Sequence, residues 1–245
     1  EAIENGVDVF HNGGGHHHAS RGSYTRTGFN LVNDIASGIE YAKERLEDPD
    51  ILSIDLDLHH GDGTVSIYRD DPSVTHFSMH EWNIFPNKDS GWWDYTGSGN
   101  AKGHTINMPL PGGTGGEKYL SLLEDLIEPV VDYADPDLVI YQAGTDPHHE
   151  DPLGDLNLTL EDLYQRDRKV VNAVDSPIVT VTGGGYGPEA GTASVNTLAA
   201  ISSREPVYSG DKLSEEKREK AAEVEETVSK WYESLTGFDE HSFLD

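Results

Sequence analysis

The sequence contains no cysteine, few basic residues and no long hydrophobic run. Because cysteine is absent from all 245 residues, disulfides and thiolate metal sites are excluded. No run of about 18 apolar residues occurs, so a transmembrane helix is not predicted, and the opening residues lack the pattern of a signal peptide. The 17 Lys and Arg stand against 45 Asp and Glu, which gives a formal net charge of −28.

The low number of basic residues argues against a protein that binds nucleic acids or membranes. A chain this acidic should be repelled by nucleic-acid phosphates and by anionic membrane surfaces, so neither is expected as a partner. Hydrophobic residues make up 35% of the chain, which is enough for a packed core and argues against wholesale disorder. We therefore expect a globular, cytoplasmic protein.

Short apolar runs alternate with helical periodicity along the chain. Runs rich in Val, Ile and Leu predict strands at 7–10, 51–59, 73–80, 105–110, 138–143 and 178–182. Apolar residues at helical spacing predict helices at 31–46, 118–131, 160–174 and 192–201. This alternation predicts an α/β fold with a largely parallel central sheet and helices on both faces.

The composition changes near residue 211. Residues 214–226 are dominated by Glu, Lys and Ala, which predicts a solvated, peripheral helix. Its docking residues would be Val224, Val228, Trp231 and Leu235. We therefore divide the chain into a main domain at 1–210 and an acidic C-terminal helix and tail at 211–245.

The strand predicted at 51–59 carries three polar residues at alternate positions. Side chains alternate faces along a strand, so Asp55, Asp57 and His59 are predicted to share one face. Buried charge is costly unless it is paired or binds a metal. We interpret this face as a candidate metal site. A hydrogen-bonded edge strand is the alternative, which the flanking apolar run disfavours.

A further carboxylate follows the strand predicted at 138–143. Asp146 lies just beyond that strand, where a lone Asp is commonly a turn residue or a helix cap. If it lies beside Asp57 and His59, two carboxylates and one imidazole leave a coordination position open, as in catalytic metal sites. These ligands are compatible with Zn²⁺, Fe²⁺, Co²⁺ or Mn²⁺, so the residues do not fix the metal.

Two glycine-rich stretches follow other predicted strands. Residues 13–19 read Gly-Gly-Gly-His-His-His-Ala, and we interpret their histidines as general acid–base groups. A second metal site and a purification remnant are the alternatives. Residues 182–188 read Thr-Gly-Gly-Gly-Tyr-Gly-Pro, which lacks the lysine and spacing of a phosphate-binding loop. Tyr186 on this turn can donate its hydroxyl to a developing oxyanion, or it is a half-buried structural residue.

Taken in order, these motifs resemble those of the histone deacetylase superfamily, especially its prokaryotic acetoin-utilization-like branch. The similar stretches are 13–19, 28–34, 55–63, 142–146, 151–154 and 183–187. The resemblance implies an arginase/deacetylase-like fold and a zinc-dependent deacetylase that releases acetate from N-acetylated lysine. The family also has a segment upstream of its double-His motif, so we expect this chain to lack the N-terminal part of the domain and part of the channel rim.

The resemblance implies a role for each candidate residue. The metal ligands would be Asp57, His59 and Asp146. The catalytic groups would be His17 paired with Asp55, His18 paired with Asp62, and Tyr186. The substrate channel would be formed by Gly28, Phe29, Phe85, Gly184 and Gly185. A structural K⁺ ion would be held by Asp55, Asp57, His59, Ser78 and Met79.

Several alternatives stay open. The substrate is expected to be an acetylated protein or a small acetylated amine, so an acetylpolyamine amidohydrolase is the rival within the enzyme class. A non-catalytic acetyl-lysine-binding module is the rival outside it. A binuclear arginase-like ureohydrolase would need further aspartates, which 55–63 does not supply in the expected pattern. His148 and His149 depart from the family's pattern; we interpret their segment as a solvated loop, with a second metal contact as the alternative.

The acidic excess also predicts an origin in a salt-loving organism. Like charges repel one another in a compact chain unless salt screens them, and halophilic proteins carry such surfaces. We expect the protein to unfold at a higher temperature in about 3 M KCl than in about 0.1 M KCl, measured by circular dichroism. Equal stability in both solutions would refute the hypothesis.

Overall fold

One parallel sheet organises the chain. The structure, a computed structural model, describes residues 9–12, 14, 16–18, 28–29, 31–86 and 90–236. The strands are β1 (Val9–Asn12), β2 (Ile51–Asp55), β3 (Val74–Glu81), β4 (Thr105–Leu110), β5 (Leu138–Gln142) and β6 (Ile178–Val181). Their order across the sheet is β1-β6-β5-β2-β3-β4, and every neighbouring pair is parallel. The predicted α/β fold with a parallel sheet is confirmed.

Helices connect successive strands. Within the described residues the α-helices are α1 (Asp34–Lys43), α2 (Asp62–Tyr68), α3 (Gly116–Ala134), α4 (Leu160–Ala173), α5 (Ala190–Ile201) and α6 (Glu215–Thr236). A 3₁₀ helix lies at Gly99–Ala101. In the described part of the chain, no helix combines the length and apolar character needed to cross a membrane.

Alternate strand residues bury on opposite sides of the sheet, as the pleat of a strand requires. Ile51 packs in a cluster with Ile35 and Ile39 of α1. Its neighbour Leu52 packs in a larger cluster with Leu122 of α3 and other residues of that side. The two clusters show helices covering both faces, as predicted.

Three elements near the site differ from the prediction. β2 ends at Asp55, so Asp57 and His59 lie on the loop after the strand instead of on its face. The short helix α2 begins at Asp62 and was not predicted, because seven residues give too little periodicity to detect. Helix α1 begins later than residue 31, because the Asn33 side chain accepts the N–H of Ala36 and caps the helix there.

Helix α6 docks on the main core by the residues predicted for it. Val228 is fully buried in the larger cluster, and Val224 is partly buried against it. The Trp231 ring lies 5.1 Å from that of Trp92. Docking by these three residues of α6 is confirmed, whereas the side chain of Leu235 lies outside the described residues.

Candidate active site

A cavity of about 220 Å³ opens where β1, β2 and β6 end. Ligands of open parallel sheets bind beyond the carboxyl ends of the strands, where loops from neighbouring strands meet. The cavity is lined by Gly14, His16, His17, His18, Gly28, Phe29, Asp57, His59, Gly183, Gly184, Gly185 and Tyr186. The other predicted site residues contact this lining: Asp55 contacts His17, Asp62 contacts His18, Asp146 contacts His59, and Phe85 contacts His18.

Asp57, His59 and Asp146 converge on one point. Nδ1 of His59 lies 3.3 Å from Oδ1 of Asp57 and 3.1 Å from Oδ2 of Asp146. One ligand atom from each residue lies within 4.8 Å of the others, and all three residues are buried. Ligands bonded at 2.0–2.1 Å to a tetrahedral ion are about 3.3 Å apart. The three residues therefore fit a small divalent cation.

The electrostatics of these three residues also favour a positive charge between the two carboxylates. Burial raises the pKa of Asp146, and the charge of Asp57 adds to this, so that the pKa reaches about 7. Burial opposes a charged His59, but its hydrogen bonds to Asp146 and Asp57 raise the pKa of the ring to about 10. A proton on His59 and a divalent cation are thus alternative ways to balance the two carboxylates, since metal binding displaces protons from its ligands.

Backbone N–H groups orient the two carboxylates. Oδ2 of Asp57 accepts the N–H of Gly184 at 2.7 Å, and Oδ1 of Asp146 accepts the N–H of Leu58 at 3.0 Å. The Gln142 side chain reaches the same Asp57 oxygen at 3.5 Å. Each carboxylate is therefore held from one side, while the other oxygens face His59.

Two histidine–carboxylate pairs lie next to this point. Nδ1 of His17 lies 2.6 Å from Asp55, and Nδ1 of His18 lies 2.8 Å from Asp62. Burial lowers the pKa of His17, but the carboxylates of Asp55 and Asp57 raise it, with a net value of about 9. Burial lowers the pKa of His18 below its ordinary value, against the opposing effect of Asp62. The two adjacent rings therefore differ in their affinity for a proton.

Two glycines allow the histidine segment to fit so closely. A Cβ added at Gly63 would lie 2.4 Å from the carbonyl carbon of His18, and one added at Gly28 would lie 2.0 Å from its ring. Gly28 also has a φ of +61°, a conformation that side-chain-bearing residues rarely adopt. Any larger residue at either position would displace His18.

Tyr186 lies on the glycine-rich turn at residues 182–188, which we call the tyrosine loop. Its ring lies 5.8 Å from that of Phe29 at the mouth of the cavity, and the Phe85 ring lies 4.8 Å from that of His18. Burial, with the charges of Asp146 and Asp57, raises the pKa of the Tyr186 hydroxyl above its ordinary value. The hydroxyl therefore keeps its proton and can donate it in a hydrogen bond.

The residues assigned to a K⁺ ion lie close to one another. Asp55 on β2 is paired in register with Ser78 on β3, next to Met79, and all three are buried. Asp57 and His59 follow β2 directly. The ion itself remains a prediction.

The interpretation of His148 and His149 as part of a solvated loop is wrong. Both side chains are buried, and both Nε2 atoms lie on Oδ2 of Asp211, at 3.0 and 3.2 Å. Although the three groups lie close enough to share an ion, Nδ1 of His148 accepts the N–H of Glu150. Its proton is therefore on Nε2, whereas a metal-bound histidine donates from its other nitrogen. The arrangement is a carboxylate that accepts N–H groups, including that of Leu160 at the start of α4.

Sequence reasoning missed a buried arginine behind the site. Arg166 of α4 is fully buried and pairs with Asp167 at 2.8 Å. Its Nη1 donates to the carbonyls of Leu56 at 3.1 Å and Gly144 at 2.7 Å. No local signal could have indicated this, because a charged residue on a predicted helix is ordinarily at the surface.

His16, unlike His17 and His18, was given no individual role by the resemblance. It lines the cavity, and its Nδ1 lies 3.0 Å from Asp34 at the start of α1. A signal for this contact was present, since both residues belong to stretches singled out in the sequence.

Comparisons with known proteins show the family of this chain. Residues 1–201 match the family described as "Histone deacetylase domain". The chain is 39% identical over 180 residues to the acetoin utilization protein AcuC of Staphylococcus aureus, which covers 72% of this chain and 46% of AcuC. It is 35% identical over 178 residues to an Archaeoglobus fulgidus protein named "Probable deacetylase", with coverages of 71% and 48%. The chain thus spans about half the length of these curated relatives.

A solved structure supports the fold. The crystal structure of the HDA15 HD domain matches with a TM-score of 0.70 at 24% identity, over 91% of this chain and 63% of that chain.

We expect Gly184→Ala to abolish divalent-metal binding. The added Cβ would lie 2.2 Å from Oδ2 of Asp146 and 2.9 Å from Oδ2 of Asp57, so the two carboxylates would have to move apart. The measurement is Zn²⁺ affinity by titration calorimetry, with the fold checked by circular dichroism. Gly191→Ala is the matched control, because a Cβ there meets nothing within 4 Å. Equal Zn²⁺ affinity in the two variants would contradict the site geometry.

Proposed function

Because this chain belongs to the histone deacetylase family, we propose that it is a zinc-dependent deacetylase acting on N-acetylated lysine. The observation that supports this is the meeting, around one cavity, of three candidate metal ligands, two histidine–carboxylate pairs and one tyrosine hydroxyl. Hydrolysis of an acetyl amide needs an activated carbonyl, groups that move protons and a donor to the oxyanion. Each need has a candidate residue here.

Asp57, His59 and Asp146 would hold the metal. When bound there, a divalent ion supplies Lewis acidity that polarises the acetyl carbonyl and lowers the pKa of water. A mixed nitrogen and oxygen ligand set suits Zn²⁺, and Fe²⁺ or Co²⁺ are compatible with it.

His18 is the proposed proton carrier. Its Nδ1 is engaged by Asp62, which leaves Nε2 to take a proton from the attacking water and then deliver it to the leaving amine. His17 lies beside it, with ring centroids 4.2 Å apart, and is held by Asp55. We assign His17 the role of balancing charge next to the reacting groups.

Tyr186 is the proposed donor to the oxyanion that forms on the acetyl oxygen when water attacks the carbonyl carbon. Phe29 and Phe85 would flank the methylene chain of the lysine, with Gly28, Gly184 and Gly185 leaving room for a narrow channel.

An acidic surface attracts both basic protein tails and cationic polyamines, so charge does not distinguish these two kinds of substrate.

The test is acetate release in molar KCl with Zn²⁺ supplied, from an acetyl-lysine peptide and, separately, from an N-acetylated polyamine. Release from the peptide would support the proposal. Release from the polyamine alone would assign the rival amidohydrolase activity. Binding of the peptide without release would favour a non-catalytic acetyl-lysine-binding module.

We expect Tyr186→Phe to lose most turnover while keeping its metal. Removing one donor to an oxyanion commonly costs about 10²–10³ in rate. The measurement is kcat for acetate release, with the metal content determined by elemental analysis. Tyr41→Phe is the matched control, since Tyr41 is similarly exposed but lies on α1. Near-wild-type turnover of Tyr186→Phe would refute the role.

We expect Asp146→Ala to lose the metal. Even the loss of a partner outside the ligand shell costs about 10–100-fold in metal affinity, so the loss of a ligand should exceed about 100-fold. Zn²⁺ content after purification and Zn²⁺ affinity are the measurements. Asp125→Ala, on the exposed side of α3, should behave as wild type. Full Zn²⁺ occupancy in Asp146→Ala would count against this ligand.

A further inference from the structure

The segment that follows Asp146 contacts the tyrosine loop through Asp151. The proposed reaction assigns no role to this residue. Asp151 begins the Asp-Pro-Leu-Gly stretch, and it is buried although the neighbouring Glu150 is exposed. Its Oδ2 accepts the backbone N–H of Tyr186 at 2.7 Å and that of Gly187 at 3.0 Å. Its Oδ1 accepts the N–H of Leu153 at 3.0 Å. One carboxylate therefore joins the tyrosine loop to the segment that carries Asp146.

The Tyr186 side chain itself makes few contacts that would hold it in place. It is 44% exposed, and its ring contact is with Phe29, which is 82% exposed. Among the described residues, no protein group hydrogen-bonds to its hydroxyl. The position of the hydroxyl thus depends on the backbone of the tyrosine loop.

The first half of that loop has its own attachments. The Gly184 carbonyl accepts the N–H of Thr145 at 2.7 Å, and the Gly184 N–H donates to Asp57. These contacts end two residues before Tyr186. Gly187 packs closely on the other side, where an added Cβ would lie 3.0 Å from the Glu150 carbonyl oxygen. Asp151 is therefore the side chain that fixes the peptide groups on either side of the tyrosine Cα.

We propose that Asp151 is a positioning residue for Tyr186. Its carboxylate fixes the N–H groups of Tyr186 and Gly187, and this holds the tyrosine hydroxyl where it can reach the oxyanion. Hydrogen bonds to a charged acceptor are shorter and stronger than neutral ones, which suits a loop that must not move. This inference rests on the proposed function, in which Tyr186 is the donor.

Asp151→Asn is the main variant. Asparagine keeps one acceptor oxygen, so it can satisfy Leu153 or the tyrosine loop but not both, and its NH₂ group would face N–H donors. A misplacement of about 1 Å at a reacting group can cost about 10²-fold. We expect kcat to fall about 10–100-fold, with KM and metal content close to wild type. The melting temperature should fall by a few degrees, because a buried N–H loses its acceptor. Asp155→Asn is the matched control, because it makes the same change at an exposed side chain of the same segment.

Two further measurements separate positioning from a general structural role. In a Tyr186→Phe background, Asp151→Asn should change kcat by less than about 3-fold, since the donor it positions is already gone. Hydrogen exchange of the peptide that covers 183–187 should be faster in Asp151→Asn and unchanged in Asp155→Asn. All variants are compared below the melting temperature of the least stable one.

The outcomes that overturn the inference are distinct from those that overturn the function. An equal loss of kcat in both backgrounds, full activity of Asp151→Asn, or unchanged exchange in the tyrosine loop would each overturn the role of Asp151. In those cases Tyr186→Phe alone would still be impaired. Wild-type turnover of Tyr186→Phe would instead remove the proposed donor, and with it the reason for positioning it.

Discussion

The candidate site depends on the cost of burying several carboxylates at the ends of two neighbouring strands. Asp55, Asp57 and Asp146 are each no more than 2% exposed. An ion removed from water costs several kcal/mol unless it is paired and hydrogen-bonded. The surrounding residues supply the compensation: His17 pairs with Asp55, and the protonated or metal-bound His59 lies between the other two. The parallel sheet matters because it brings these strand ends to one edge.

The nearby arginine bonds the two segments that carry these carboxylates without neutralising the carboxylates. Arg166 is paired with Asp167, so its charge is already balanced. Its Nη1 instead bonds the carbonyls of Leu56 and Gly144, which precede Asp57 and Asp146 in the chain. Leu56 and Gly144 follow the last residues of β2 and β5. Buried carbonyls at such positions need a hydrogen-bond donor from outside the sheet. One rigid guanidinium therefore joins the two segments that carry the candidate ligands, while the need for positive charge at the ligands themselves remains.

Features that depend on neighbouring residues could be predicted from the sequence, whereas contacts between distant residues could not. The parallel sheet could be predicted from short Val- and Ile-rich runs, and β4 has the predicted bounds. Asp57 and His59 lie close together, as predicted. The predicted reason was alternation along a strand, but β2 ends at Asp55, and the loop after it brings the two residues together. The burial of His149 could not be predicted, since it depends on Asp211, which lies far along the chain. Such contacts leave no local pattern.

The segment from β5 to Asp151 explains how a site with parts from distant regions can be rigid. Its ten residues from Gln142 to Asp151 contact the loop after β2, the tyrosine loop and the supporting residues Arg166 and Asp211. These contacts run from Gln142 to Asp57, from the Gly144 carbonyl to Arg166, from Thr145 to Gly184, from His148 to Asp211 and from Asp151 to the tyrosine loop. A donor fixed before the substrate arrives needs no reorganisation during the reaction. Because one short backbone holds both a candidate metal ligand and the proposed donor, the distance between them is set locally and does not depend on the packing of separate layers.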